Sequence, residues 1–199
     1  TDPVAVAWEP GLTHRVGLEI RLGGRGDMTL APFNPVYDFV PDGGAGSGVT
    51  KEIADTMNCN SCHFELAIHG GPRKSVEYCV TCHNPSSIDP DTAAQAWGGT
   101  VDMKQMVHKI HFGANLTNGY TIIGYGGRPH DYSGVEFTQD VRNCTTCHQE
   151  SDTSVPQASN WRLVQNRDSC GSCHDWIDWD GSEGNPDLLH WGSLVFLED

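Results

Sequence analysis

The sequence predicts a chain that is mostly coil with short helices, with a small β region at its N-terminus. Its apolar interior is one that the polypeptide does not itself supply. Three observations lead there. Hydrophobic residues make up 37% of 199, thin for a domain that must close an ordinary core. Gly at 23 and Pro at 11 commit much of the backbone to turns and loops. All eight Cys fall in four copies of one five-residue pattern. No run approaches the roughly 20 apolar residues that a membrane-spanning helix needs. Lys plus Arg is 12 against 26 Asp plus Glu, a net charge of −14, which argues against nucleic acid and anionic membrane as partners.

The four copies are Cys59-Asn60-Ser61-Cys62-His63, Cys79-Val80-Thr81-Cys82-His83, Cys144-Thr145-Thr146-Cys147-His148 and Cys170-Gly171-Ser172-Cys173-His174. This is the covalent c-type haem attachment motif. Two thiols three positions apart each form a thioether with one vinyl group of the porphyrin, and the following His is held with a ring nitrogen facing the iron. The fold class is accordingly a multihaem cytochrome c, with coil and short helices around a covalent haem chain and four c-type haems as cofactors. Sixteen residues between Cys62 and Cys79 also fit a zinc ribbon. A four-Cys zinc site, a disulfide or a redox dithiol has no use for a His after every second Cys.

Residues 1–50 read as the β region and a linker. Val4, Val6 and Trp8 alternate, and so do Val16, Leu18, Ile20 and Leu22, with His14 on the same apolar face. Pro41-Asp42-Gly43-Gly44 reads as a turn. Residues 51–199 read as the tetrahaem domain, and the two parts as one structural unit. Lys51–Asp55 reads as a short helix before the first motif. First-Cys spacings of 20, 65 and 26 residues group the haems as two close pairs. Between the pairs, Asp102 to Gly113 reads as an amphipathic helix with a Gly stop, its Met103, Met106, Val107 and Ile110 recurring at helical spacing. Leu194-Val195-Phe196-Leu197 reads as a closing strand at a core edge or against another subunit. Asp178 to Asp187 is rich in oxygen ligands but matches a calcium loop only partly, so Ca²⁺ is a weak expectation.

The ligand supply is generous. His63, His83, His148 and His174 are the proximal ligands by motif. Six His remain for four sixth positions: His14, His69, His108, His111, His130 and His190. This favours two imidazoles per iron over a Met from Met28, Met57, Met103 or Met106. A short helix running from the first motif to Gly70-Gly71 would leave His69 at its end, too near in sequence to reach the first iron and placed to serve another. His108 and His111 lie three apart on one helix, so that helix can serve two irons. His190 is a further distal candidate, His14 a candidate ligand donated across subunits, and His130 lies in a loop.

Thioether formation requires export, which implies a periplasmic, cell-surface or secreted chain. The start at Thr1 is read as the mark of a removed signal peptide, without an N-terminal lipid-bearing Cys.

The stretches Val36 to Pro41, Leu66 to Gly71, Tyr78 to Pro85, Met106 to His111 and Arg142 to His148, together with the first motif, resemble the OmcA/MtrC-type multihaem outer-membrane cytochromes over roughly 140 residues. The resemblance implies conduction of electrons from the outer membrane to extracellular acceptors such as metal oxides. It also implies that His69, His108 and His111 are distal ligands. That family's haem domains usually carry five motifs and occur twice per chain, whereas four occur here, once. Tetrahaem extracellular cytochromes that polymerise into conductive filaments are similar in size and haem number, so the expected partners are other copies of the chain or an outer-membrane cytochrome complex. The expected function is electron transfer through closely spaced haems, as a filament subunit or as a monomeric or docked shuttle. A reductase with an open haem position is disfavoured by the surplus of His, and the chain is read as an electron carrier, not an enzyme.

Overall fold

The computed structural model describes residues 8–21, 31–46, 48, 51–93, 98–152 and 154–177. Val4, Val6, the Asp178–Asp187 stretch, His190 and residues 194–197 lie outside them.

Each five-residue motif is one helical turn. The first Cys ends or sits in a short helix: α1 (Thr56–Asn60), α2 (Val76–Cys79) and, for the fourth motif, α5 (Arg167–Gly171), with a 3₁₀ turn at Cys144–Thr146 for the third. The His N–H then donates to the carbonyl of the first Cys, four residues back, at 3.0, 2.8, 2.9 and 3.0 Å. That i→i−4 bond puts both Cys, three apart, and the His beside them on one side of the turn. The turns start the same way. Asp55, Ser75, Asp140 and Asn166, each four residues before a first Cys, accept a backbone N–H two or three residues on. Lys51–Asp55 is therefore not a helix but the extended approach to the Asp55 cap.

The central helix α3 (Met103–Phe112) forms as its periodicity predicts and ends at Gly113, where a 3₁₀ turn continues to Asn115. Its Met103, Met106, Val107 and Ile110 are only half-buried, and its most buried side chain is Lys109, which reaches over the Tyr120 ring at 6.0 Å. A hairpin follows, β3 (Thr121–Gly124) and β4 (Arg128–Asp131), turning through Tyr125-Gly126-Gly127. It overturns the loop reading for His130, which is a strand residue opposite Ile122 and exposed. The hairpin is tied to the preceding segment by buried Asp89, whose carboxylate accepts from Ile123 N at 2.7 Å and Thr92 Oγ1 at 2.8 Å. Helix α4 (Asn160–Leu163) precedes α5, which packs on α3.

At the N-terminus, β1 (His14–Gly17) pairs antiparallel with β2 (Val36–Phe39), and the pairing extends to Ile20 opposite Phe33. The alternation is as read, but the buried face is the other one. Val16, Leu18 and Tyr37 are 47%, 53% and 70% exposed. Arg15, Gly17 and Glu19 instead face the rest of the chain. Arg15 bridges Asp38 (2.6 Å) and Glu52 (2.9 Å) and donates to Glu77 O. Gly17 lies so close to Tyr78 that a Cβ there would meet its ring at 2.7 Å. The ribbon thus docks by ion pairs and close backbone approach, because what it docks against is itself polar. Among the described residues the buried apolar side chains are few: Val76, Tyr120, Val155 and Ala158, with Pro32 and Pro72.

Arg15 holds the Asp38 carboxyl below its ordinary value through a hydrogen bond, with burial opposing. A carboxyl depressed in the fold stabilises fully above its unfolded value of about 3.9 and stops doing so as pH falls through its folded value. Asp38→Asn should therefore flatten the acid limb of the unfolding midpoint below about pH 4. Arg15→Ala, which strands two carboxylates, should cost about 1–3 kcal/mol at pH 7, between an exposed and a fully buried pair. Urea unfolding at pH 7 and pH 3 measures both. A Cβ at Gly113 would strike Tyr132 O and the backbone of Val135, so Gly113→Ala should destabilise by about 1–3 kcal/mol in the same assay.

Candidate functional site

The histidines meet in pairs. His63 and His111 have ring centroids 5.9 Å apart, His83 and His69 5.9 Å, and His148 and His108 6.2 Å. Each pair joins a motif His to one of the candidates from outside the motifs. A metal–imidazole bond of about 2.0 Å plus about 1.15 Å from nitrogen to ring centre, taken on both sides, requires ~6.3 Å between trans rings. The three spacings lie within a few tenths of an ångström of that requirement. The ring planes make angles of 78°, 27° and 40°, and two imidazoles that shared a metal could take any such twist about their common axis.

Local structure aims the rings. The Nδ1–H groups of His83 and His148 donate to Val101 O (2.8 Å) and Ile53 O (3.2 Å), and that of His111 to Val107 O (2.8 Å). A carbonyl only accepts, so Nδ1 carries the proton and the Nε2 lone pair is left for a metal. Burial, reinforced by His148, pushes His108 down to about 4, while the Lys104 carbonyl one turn back opposes it. Burial also lowers His148, and burial with Arg73 and His83 lowers His69. These imidazoles are neutral at pH 7, the form that binds metal. Aromatic side chains wall the sites. Phe137 meets His111 edge-on at 5.5 Å, Trp161 stacks on His148 at 6.2 Å, and Trp176 stands against His174 at 4.9 Å.

The cysteines suit thioethers better than thiolates. None of the eight is in a disulfide. Burial raises the thiols of Cys59 and Cys173 to about 11 and also raises Cys79, Cys147 and Cys170. An environment that penalises the anion tolerates a neutral sulfur. Among the described residues no three His, Cys, Asp or Glu side chains gather as a metal-ion cluster. The residues present fit covalently held haem.

Other expectations fare differently. His69 is not on a helix. Residues 64–67 are irregular, and Ile68 pairs with Arg73 to close a tight loop in which His69 (φ 55), Gly70 (φ 82) and Gly71 (φ 109) are left-handed. Two glycines and a short bridge make a turn where a helix end was expected, and the turn swings His69 to the second motif. His14 packs against Trp8 (4.9 Å) and Phe39 (5.8 Å) and donates from Nε2 to Glu9 O at 3.0 Å. His190 lies outside the described residues. The sequence reading missed the carbonyls of Ile53 and Val101, which no side-chain pattern reveals. It also missed the side-chain acceptor four residues before every first Cys, legible as Asp, Ser, Asp and Asn, which is the N-cap at Asp55, Ser75 and Asn166 and holds Arg142 N at Asp140.

The family model for outer membrane cytochrome MtrC/MtrF-like domains II/IV matches residues 51–190. The multiheme cytochrome MtrC of Shewanella baltica (strain OS185) is 28% identical over 166 residues, 82% of this chain and 21% of that protein. Among solved structures, the outer membrane decaheme cytochrome OmcA superposes with a TM-score of 0.73 at 28% identity, covering 88% of this chain and 26% of that one. MtrC from Shewanella baltica OS185 gives 0.63 at 26% identity, covering 93% and 26%. The chain spans between a fifth and about a quarter of the length of these relatives. Among the described residues no helix is long and apolar enough to cross a membrane.

Proposed function

The chain belongs to the outer membrane cytochrome MtrC/MtrF-like family, and on that premise we propose that it is an extracytoplasmic electron carrier holding four covalent c-type haems. Cys59/Cys62, Cys79/Cys82, Cys144/Cys147 and Cys170/Cys173 form the thioethers. His63, His83, His148 and His174 are the proximal ligands, and His111, His69, His108 and His190 the distal ones in the same order. The observation that carries the reading is the set of three His–His pairs at 5.9–6.2 Å.

Bound haem with two imidazoles supplies one-electron chemistry at a low-spin iron. The chain's part is to hold and orient. His108 and His111 leave α3 one turn apart, so the first and third sites are neighbours on one rigid element. Met103 N donates to His83 O and α5 packs on α3, which brings the second and fourth motifs to the same helix. Ligation on both sides closes the iron to substrates, so transfer is outer-sphere. The acceptor class is an extracellular metal oxide or a partner cytochrome of an outer-membrane complex.

The haemochrome spectrum of the purified protein should give four haems per chain, all low-spin and unreactive to carbon monoxide when reduced. His108→Ala and His111→Ala should each convert one haem of the four to a CO-binding form, and the double variant two. A wild-type haem that binds CO would overturn full bis-histidine ligation and favour a reductase. Fewer than four haems would overturn the cofactor count.

A second reading, a filament subunit, is favoured by the exposed outer face of the ribbon, where Val16, Leu18, Phe33 and Tyr37 lie beside His14. Electron microscopy of the untagged, natively exported protein should then show uniform filaments that Leu18→Glu disperses. Particles of monomer size would leave the shuttle or the docked module.

A further inference from the structure

The N-terminal ribbon lies outside the family match, which begins at residue 51, yet its inner face, besides the Arg15–Glu52 ion pair, grips one short stretch of the haem-motif region. Asn34 is buried, and its amide spans Arg73: Nδ2 donates to Pro72 O at 3.1 Å and Oδ1 accepts from Lys74 N at 2.7 Å. The next residue, Ser75, donates from Oγ to Asn34 O at 3.5 Å. Glu19 accepts from Arg73 Nε at 2.9 Å and is held from its other oxygen by Arg21. Gly17 sits on the Tyr78 ring.

Everything gripped here adjoins His69. Arg73 is the closing residue of its loop, since Ile68 N donates to Arg73 O at 2.9 Å and Gly71 N to Ile68 O at 3.1 Å. Arg73 and Tyr78 line the cleft between His69 and His83 together with Cys79 and Cys82. His69 itself is a non-glycine residue in the left-handed region, followed by two glycines. Such a loop has no strong conformational preference of its own for the one geometry that sets His69 opposite His83, and it persists only where its surroundings dictate it. The loop's own bridge supplies one side of that constraint. The ribbon supplies the other.

We propose that the ribbon is the positioning element for the distal ligand of the second haem, with Asn34 and Glu19 as the positioning residues that hold the 68–73 loop so that His69 faces His83. The inference rests on the reading of His69 and His83 as an axial pair. Neither Asn34 nor Glu19 lines the His69–His83 cleft; Asn34 acts through the backbone of Pro72 and Lys74, and Glu19 through the side chain of Arg73. Loosening them lets His69 leave the iron more often without unfolding the motif, which retains its own cap at Ser75 and its thioethers.

The test uses the full haem-loaded chain with five variants: Asn34→Ala, Asn34→Asp, Glu19→Gln, His69→Ala and, as a remote control at the exposed hairpin tip, Tyr125→Ala. The readouts are the rate and stoichiometry of CO binding to the reduced protein, the high-spin fraction, and amide hydrogen exchange at Ile68 and Lys74. His69→Ala should give one fast CO-binding haem per chain. Asn34→Ala and Glu19→Gln should bind CO at one haem about tenfold faster than wild type, the factor that loss of one or two hydrogen bonds corresponds to. Exchange at Ile68 should quicken in parallel, while Ile123 in the hairpin is unchanged. Asn34→Asp, which keeps the acceptor for Lys74 N, should fall between, and Tyr125→Ala should match wild type. If His69→Ala opens a haem but Asn34→Ala and Glu19→Gln leave CO binding as in wild type, the positioning role is wrong and the axial pair stands. If His69→Ala leaves every haem closed, the axial pair is wrong and the inference goes with it. Should Asn34→Ala fail to fold, Glu19→Gln, a change to a partly exposed ion pair, decides alone.

Discussion

Everything in the haem-motif region depends on a ten-residue helix that must present two histidines to two different places. His108 and His111 are three residues apart, so their rings leave α3 about 60° short of a full turn and reach His148 and His63, whose motifs are far apart in sequence. That single requirement ties residues 56–63 to residues 144–148. It also explains why the first and third motifs share bonds, such as Asn58 Nδ2 to Cys147 O, which no local pattern would bring together. The helix must stop immediately after His111, and Gly113 stops it against the backbone at Tyr132 and Val135. Its start is held by the bond from Met103 N to His83 O.

The thin apolar core follows from the same arrangement. With so few buried apolar side chains among the described residues, the polypeptide organises itself by caps, turns and polar anchors. Asp89 and Asn34 are buried and fully engaged, each holding a backbone segment remote in sequence. The half-buried stripe of α3 and the aromatic rings beside His111, His148 and His174 are apolar surface arranged around sites and not around other side chains. In such a fold, the hydrophobic contribution comes chiefly from what the chain encloses.

The ribbon inverts the usual economy of a β-strand pair. Its apolar residues point outward and its charged ones inward, because its inner neighbours are carboxylates, an arginine and peptide groups. The outward face leaves Val16, Leu18, Phe33 and Tyr37 exposed, and the inward face meets Pro72, Arg73, Lys74 and Tyr78 beside the second motif. The exposed apolar residues and the residues that grip the 72–78 stretch thus lie on opposite sides of one ribbon, which runs from the β1–β2 pairing to the Ile20–Phe33 bridge.

The sequence by itself determined the chemistry. Four copies of Cys-x-x-Cys-His mark where haem attachment is expected and which His is expected beneath it, since five consecutive residues on one helical turn need no help from distant parts of the chain. It also determined α3, because an amphipathic period and a terminal glycine are local properties, and it made a surplus of six histidines visible. The tertiary structure decided the partnerships. That His111 goes with His63, His69 with His83 and His108 with His148 depends on chain reversals, and the sharpest of these is a left-handed turn at His69 that a helical reading of residues 64–69 misses. Which face of the ribbon is inside was likewise undecidable from alternation alone. Period-2 patterning says that two faces differ, but only the neighbours, here Glu52, Arg73 and Tyr78, say which face is buried.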